Sequence, residues 1–327
     1  MTKIRIMSDL HYSRGLNGPD YDKTYKGSGL YHYFGKKFEE VDDCVNLIAG
    51  DICEGVNNHK EFLESFFPHT KTIFIDGNHL VYEEGHPVLS SLKQGLKDMF
   101  PKDHLLYNYL ENDWIWIPQT DVAVIGSTFY TDYSYCDLTL DELNEKINSW
   151  NAWMKCYGLS EDPDNIYKKL TKSIIRKEAM FAATSYLNDF RWGNENKSTR
   201  LSPEYYLKLH KLAKKEIKRC HDEILSINPY AKIILITHHC LSPKCILDKY
   251  KKSLINASYV SDLEKWVDKE LTGVKLVISG HVHNRCDFNF GKRNVRYILN
   301  PCGYIRPNEP FEAPKFNPNL IIDTDEL

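Results

Sequence analysis

Five short polar clusters, each standing where a β-prone apolar run ends, constrain this chain more than any other feature. They are Asp9-Leu10-His11, Gly50-Asp51, Gly77-Asn78-His79, His238-His239 and Gly280-His281-Val282-His283. The runs before them cover residues 4–7, 45–49, 72–75, 233–236 and 276–278. Short apolar runs of this kind read as buried strands. In an open α/β sheet, ligands bind just beyond the carboxyl ends of the strands. Five such ends in one sheet would gather two Asp, one Asn and several His. Those are ligands of hard or borderline divalent cations, and no thiol stands among them. The pattern predicts a two-metal hydrolase.

Taken singly, each cluster has a plainer reading. A lone Asp-x-His is more often a turn with a solvated carboxylate, and Gly-Asp is an ordinary turn pair. Asn and Gly punctuate loops. His-x-His after a glycine is more specific, because alternate residues leaving a strand point the same way. The joint occurrence decides: histidines that merely fill a core have no reason to follow five strands in this order.

These blocks, D-x-H, G-D, G-N-H, H and G-H-x-H, resemble those of the calcineurin-like metallophosphoesterases. Around Asn188-Asp189-Phe190-Arg191, Thr237-His238-His239, Asn256-Ala257 and residues 280–304, the chain is most similar to small bacterial and phage members. The resemblance runs from residue 4 to about residue 304. It implies an α/β fold, a four-layer α-β-β-α sandwich of two mixed sheets. It also implies two divalent cations, Mn²⁺ first and Fe, Zn²⁺ or Ni²⁺ as alternatives, bridged by Asp51. Asp9, His11 and His283 would complete one site, and Asn78, His238 and His281 the other. The matching histidine of the family, here His79, hydrogen-bonds the phosphate and protonates the leaving oxygen. Two features depart from the subgroup: Cys302 stands where it carries an arginine, and Leu80 where an acid often follows G-N-H.

The chemistry agrees with that ligand set. A phosphate ester resists attack because its oxygens repel an anionic nucleophile and its leaving group departs as an alkoxide. Two cations about 3.5–4 Å apart screen that charge and turn a bridging water into hydroxide near neutral pH. An amide ligand such as Asn78 adds no negative charge beside the phosphate. An imidazole such as His79 titrates near neutrality and can release its proton on demand; the plainer reading is a histidine that only supports the ligands. Arg191 and His239 are the candidate substrate-contacting residues. Arg191 would clamp a phosphate bidentately, or else pair with Asp189. His239, the second of its pair, is set behind His238. His210 reads as a satisfied core histidine, and Asn300-Pro301-Cys302-Gly303-Tyr304 as a rim of the pocket.

The substrate is expected to be a phosphodiester or phosphomonoester: a nucleotide, a cyclic nucleotide or a nucleic acid. The net charge of −3 lends no global support to polyanion binding. The alternative is a non-catalytic metal-binding scaffold that meets a partner through a helical insertion. A full ligand set with His79 argues against it. No apolar run approaches the ~20 residues that span a bilayer, and the first strand begins too early to leave room for a signal peptide. Nine cysteines, odd in number and without a Cys-x-x-Cys pair, read as reduced thiols and a cytoplasmic setting.

A single domain over residues 1–327 is expected, with a mainly helical insertion at about 128–201. Helical periodicity covers 138–156, 165–188, 203–225 and 259–271, with shorter helices at 59–67 and 87–100. Residues 12–35 read as a long loop and 193–199 as a break between helices. The aromatics Tyr130, Tyr133, Tyr135, Trp150, Trp153 and Trp192 either stack on bases or fill core.

Overall fold

The computed structural model describes residues 2–12, 38, 41–139, 141, 142, 145, 172–304 and 316–327. In chain order the elements are β1 (Lys3–Met7), β2 (Cys44–Ala49), α1 (Asn57–Phe66), β3 (Thr72–Ile75), α2 (Leu89–Met99), β4 (Tyr107–Tyr109), β5 (Asp113–Trp116) and β6 (Val122–Ser127). Then come α3 (Lys172–Tyr186), α4 (Asp189–Trp192), β7 (Asn194–Asn196), β8 (Thr199–Arg200) and α5 (Pro203–Ile227). The chain closes with β9 (Lys232–Thr237), α6 (Glu264–Glu270), β10 (Val274–Ser279), β11 (Cys286–Phe290), β12 (Val295–Leu299) and β13 (Ile321–Asp323).

One sheet has the order β13-β1-β2-β3-β4 and the other β11-β12-β10-β9-β6-β5. Within each, the central strands run parallel; β13, β11 and β5 pair antiparallel at edges. Alternate residues explain the layering. Ile4, Ile6, Leu47 and Ile73 of the first sheet meet Val124, Ile234, Ile236 and Ile278 of the second in one dry layer. Their neighbours point outward: Met7, Ile48 and Phe74 pack on Phe62, Leu63 and Leu96 of α1 and α2. Ile125, Leu235 and Val277 pack on Ile217, Ile224 and Val267 of α5 and α6. Strands buried on both faces carry apolar residues throughout, so the runs show no in–out alternation. The result is the expected four-layer α-β-β-α sandwich.

The first strand ends belong to two sheets rather than one: β1, β2 and β3 lie in the first, β9 and β10 in the second. Hydrogen bonds stitch the two together where the strands finish, Ser8 N–H donating to Asn300 O at 3.2 Å and His238 Nδ1 lying 3.0 Å from Ala49 O.

Of the expected helices, α5 starts where Ser202 caps it, its Oγ accepting from Tyr205 N at 3.2 Å with Pro203 at the first position. The helix predicted over 165–188 is described as α3; residues 146–171, and with them Trp150 and Trp153, lie outside the described residues. So does most of the predicted loop 12–35. The helix predicted over 259–271 is shorter. Residues 259–263 are drawn out of the helix, with Cys240 N donating to Tyr259 O, Ser261 N to Cys240 O and Leu263 N to Leu241 O. The predicted break at 193–199 contains the β7–β8 hairpin. Tyr130 and Tyr133 are fully buried and fill core.

Candidate metal centre

After β1, β2 and β10 the chain must turn sharply to bring a side chain back over the sheet. It does so through left-handed backbone: φ is 52° at Asp9, 47° at His11, 49° at Asp51, 67° at His281 and 48° at His283. Such conformations cost non-glycine residues of order 1–3 kcal/mol each and persist only where surrounding structure imposes them. The glycines of the motifs make room. A Cβ on Gly77 would overlap the Asp51 carboxylate, and one on Gly280 would come within 2.7 Å of Asp9 Oδ2.

The seven expected ligand side chains are brought together. His283 Nε2 lies 3.3 Å from Asp9 Oδ1 and 3.0 Å from His11 Nε2. On the other side, His238 Nε2 lies 3.0 Å from Asn78 Oδ1. Asp51 stands between: its Oδ2 is 4.0 Å from His11 Nε2 and 3.3 Å from His238 Nε2. Asp51, His238 and His281 also offer ligand atoms within 4.8 Å of one another, as do Asp9, His11 and His283. All such groups among the described residues fall in this one place.

The donor set fits divalent cations. Among the described residues, Asp9 Oδ2 and His281 Nε2 are buried without a hydrogen-bond partner. Burial opposes a charge on Asp51, yet His238, His79 and His11 around it hold its carboxyl well below the usual range. Burial likewise opposes a proton on His238, but Asp51 raises it to about 9. Burial and neighbouring imidazoles push His239 and His281 well below the ordinary histidine value. The field that retains a proton on His238 is the field that attracts a cation, and metal binding to such a site releases that proton.

A further layer fixes the amide of Asn78. Its Nδ2 donates to Asp189 Oδ1 at 3.0 Å, and the Tyr82 hydroxyl donates to the same oxygen in a short hydrogen bond. With its N–H₂ engaged there, Asn78 presents Oδ1 to the His238 side. Asp189 is buried, and burial raises its pKa against the pull of these two donors. His79 lies over Asp51, its backbone N–H donating to Asp51 Oδ1 at 3.0 Å and its Nε2 3.1 Å from the Tyr304 hydroxyl. Its Nδ1 lies 4.0 Å from Glu54 Oε1. These groups open onto a cavity of about 640 Å³ bounded by α3's end and residues 246–259.

No family model and no curated protein matches the chain. Among solved structures it is similar to the phosphopantetheinyl hydrolase PptH of Mycobacterium tuberculosis, with a TM-score of 0.60 and 15% identity over 93% of this chain and 90% of that one. The fold is that of the metallophosphoesterases.

Two expected substrate contacts fall elsewhere. Arg191 is exposed, its guanidinium donating to Ser185 O at 3.0 Å, and it does not line the cavity. His239 is buried behind His281, ring centroids 4.4 Å apart, with Nδ1 3.4 Å from Thr128 O. His210 is the satisfied core histidine expected, 2.6 Å from Tyr130 O and stacked on Phe129. Sequence reading missed Asp189 and Tyr82. The only signal was the acid inside Asn188-Asp189-Phe190-Arg191, whose arginine drew the attention.

Proposed function

We propose that the chain is a dinuclear metal-dependent phosphoesterase, acting on a small phosphodiester in preference to a phosphomonoester. One observation carries the reading: a single carboxylate oxygen of Asp51 faces two ligand groups at once, with His79 beside it. Asp9, His11, Asp51 and His283 would hold one cation, and Asp51, Asn78, His238 and His281 the other; Mn²⁺ is the first candidate. Such ions lower the pKa of water and polarise phosphoryl oxygens.

The chain's own contribution is orientation and a proton. Asp189 and Tyr82 set the amide of Asn78. Tyr304 and Glu54 hold the His79 ring. His79 gives its proton to the leaving oxygen as the P–O bond breaks, and water supplies the replacing oxygen. The cavity extends well past the cluster, which leaves space for the second ester arm of a diester. With a net charge of −3, a nucleotide or cyclic nucleotide suits the chain better than a long nucleic acid. PptH is by name a phosphopantetheinyl hydrolase, so a phosphopantetheinyl ester belongs in the substrate panel.

The test is Mn²⁺-dependent hydrolysis of bis-p-nitrophenyl phosphate and p-nitrophenyl phosphate by wild type, Asp51→Asn and His79→Gln. Loss of a proton donor such as His79 should cost about 10²–10⁴-fold on an ester whose leaving group is an alkoxide. It should cost little on these p-nitrophenyl esters, whose leaving group needs no proton. Asp51→Asn should abolish hydrolysis of both kinds. Equal rates in wild type and Asp51→Asn would defeat the enzymatic reading in favour of a scaffold.

A further inference from the structure

The cavity beside the cluster is larger than one phosphate requires, and its lining changes with distance from Asp51. Pockets of a few hundred Å³ or more accommodate ligands with several functional groups, and this one holds about 640 Å³. Beyond the ligand residues the wall is mixed, with apolar Leu187, Ile246 and Ile255 beside polar Asn188, Ser253 and Asn256. Tyr186 and Tyr250 line it while remaining 76% and 54% exposed, so their rings present area to whatever enters. Lys249 and Lys251 also line it, and among the described residues Asp51 is its one carboxylate. In a chain of net charge −3, the charged lining residues away from Asp51 are thus both lysines.

Neither lysine is consumed by its known contacts. Lys249 Nζ lies 4.6 Å from the Tyr250 ring centroid, a contact that leaves its N–H donors available. Lys251 pairs with Asp248 at 2.5 Å, but the Asp248 side chain is 91% exposed. Surface pairs of that kind hold little energy and exchange readily.

We infer that the substrate carries a second phosphate group, remote from the scissile one and separated from it by an apolar or aromatic portion, and that Lys249 and Lys251 receive it. The inference rests on the phosphoesterase reading above. The class described is a phosphorylated nucleotide ester: scissile phosphate over the Asp51 cluster, ring against the tyrosines, second phosphate at the lysines.

Two substrates with the same leaving group separate the ideas: thymidine 5′-(p-nitrophenyl phosphate) and its 3′-phosphorylated counterpart. The readout is the ratio of their kcat/KM values within each protein, so any general loss of activity cancels. Wild type should favour the 3′-phosphorylated ester about five- to tenfold, the effect of two half-exposed charge-assisted contacts. That preference should shrink in 1 M salt, where the Debye length is about 3 Å. Joint Lys249→Ala and Lys251→Ala should bring the ratio to about one, Lys→Arg at both positions should retain it, and Lys→Glu should invert it. A wild-type ratio of one or less, or a ratio that survives the alanine pair, overturns the proposal while leaving the phosphoesterase reading intact. If neither ester nor bis-p-nitrophenyl phosphate is hydrolysed, that reading falls first and this one with it.

Discussion

Replacing Asp189 with asparagine probes the least visible part of the site. The native carboxylate accepts from Asn78 Nδ2 at 3.0 Å and from the Tyr82 hydroxyl, entirely within protein. Hydrogen bonds to a charged group contribute about 1.5–3 kcal/mol and neutral ones about 0.5–1.5. Asp189→Asn therefore forfeits roughly 1–2 kcal/mol per bond, because the amide oxygen that takes the place of Oδ1 is a neutral acceptor. The amide of Asn78 is then held less firmly with its oxygen toward His238. Outer partners of metal ligands typically govern about 10- to 100-fold in metal affinity. We expect Mn²⁺ titration by calorimetry, with bound metal counted after dialysis, to show one of two sites weakened by that factor and the other unchanged. Asp189→Leu, which orphans both donors, should weaken it further and also lower stability to urea. The reasoning is refuted if Asp189→Asn binds two metals with wild-type affinities while losing stability, because the residue would then only support the fold.

Other outcomes follow from the same geometry. Gly77→Ala puts a methyl group into the Asp51 carboxylate and 2.8 Å from its backbone nitrogen; it should cost about 1–3 kcal/mol in urea unfolding and abolish metal retention. His59, buried and 2.6 Å from Gly55 O, is pulled down to about 4 by burial. Its unfolded form takes up a proton below pH 6.5 that the folded form refuses until about pH 4. Stability should therefore fall as pH drops through that window, by up to about 1.4 kcal/mol per pH unit from this group. His59→Gln should flatten that limb of the urea-midpoint profile; an unchanged slope would assign the acid sensitivity elsewhere.

What the sequence disclosed and what it hid have physical reasons. Runs such as residues 233–236 were legible because strands covered on both faces leave no polar register to confuse the reading. The ligands were legible because they sit within a few residues of those strands. Asp189 was not: it meets Asn78 across 111 residues of chain, and nothing local distinguishes a buried acid at a helix start from a solvated one. Its neighbour Arg191 looked the better phosphate ligand, yet the short turn of α4 aims it at Ser185. The strands β4 and β7 escaped because three residues, Tyr-Asn-Tyr or Asn-Glu-Asn, carry no periodicity. Residues 259–263 kept a helical pattern but surrendered their backbone groups to the loop after β9.

The left-handed turns at Asp9, His11, Asp51, His281 and His283 have an evolutionary corollary. Glycine would sit at each of them without the steric penalty that the residue present carries. Drift toward an inert protein is therefore downhill in folding energy at five separate positions. Each of these five turns sets folding stability against the placement of a candidate metal ligand.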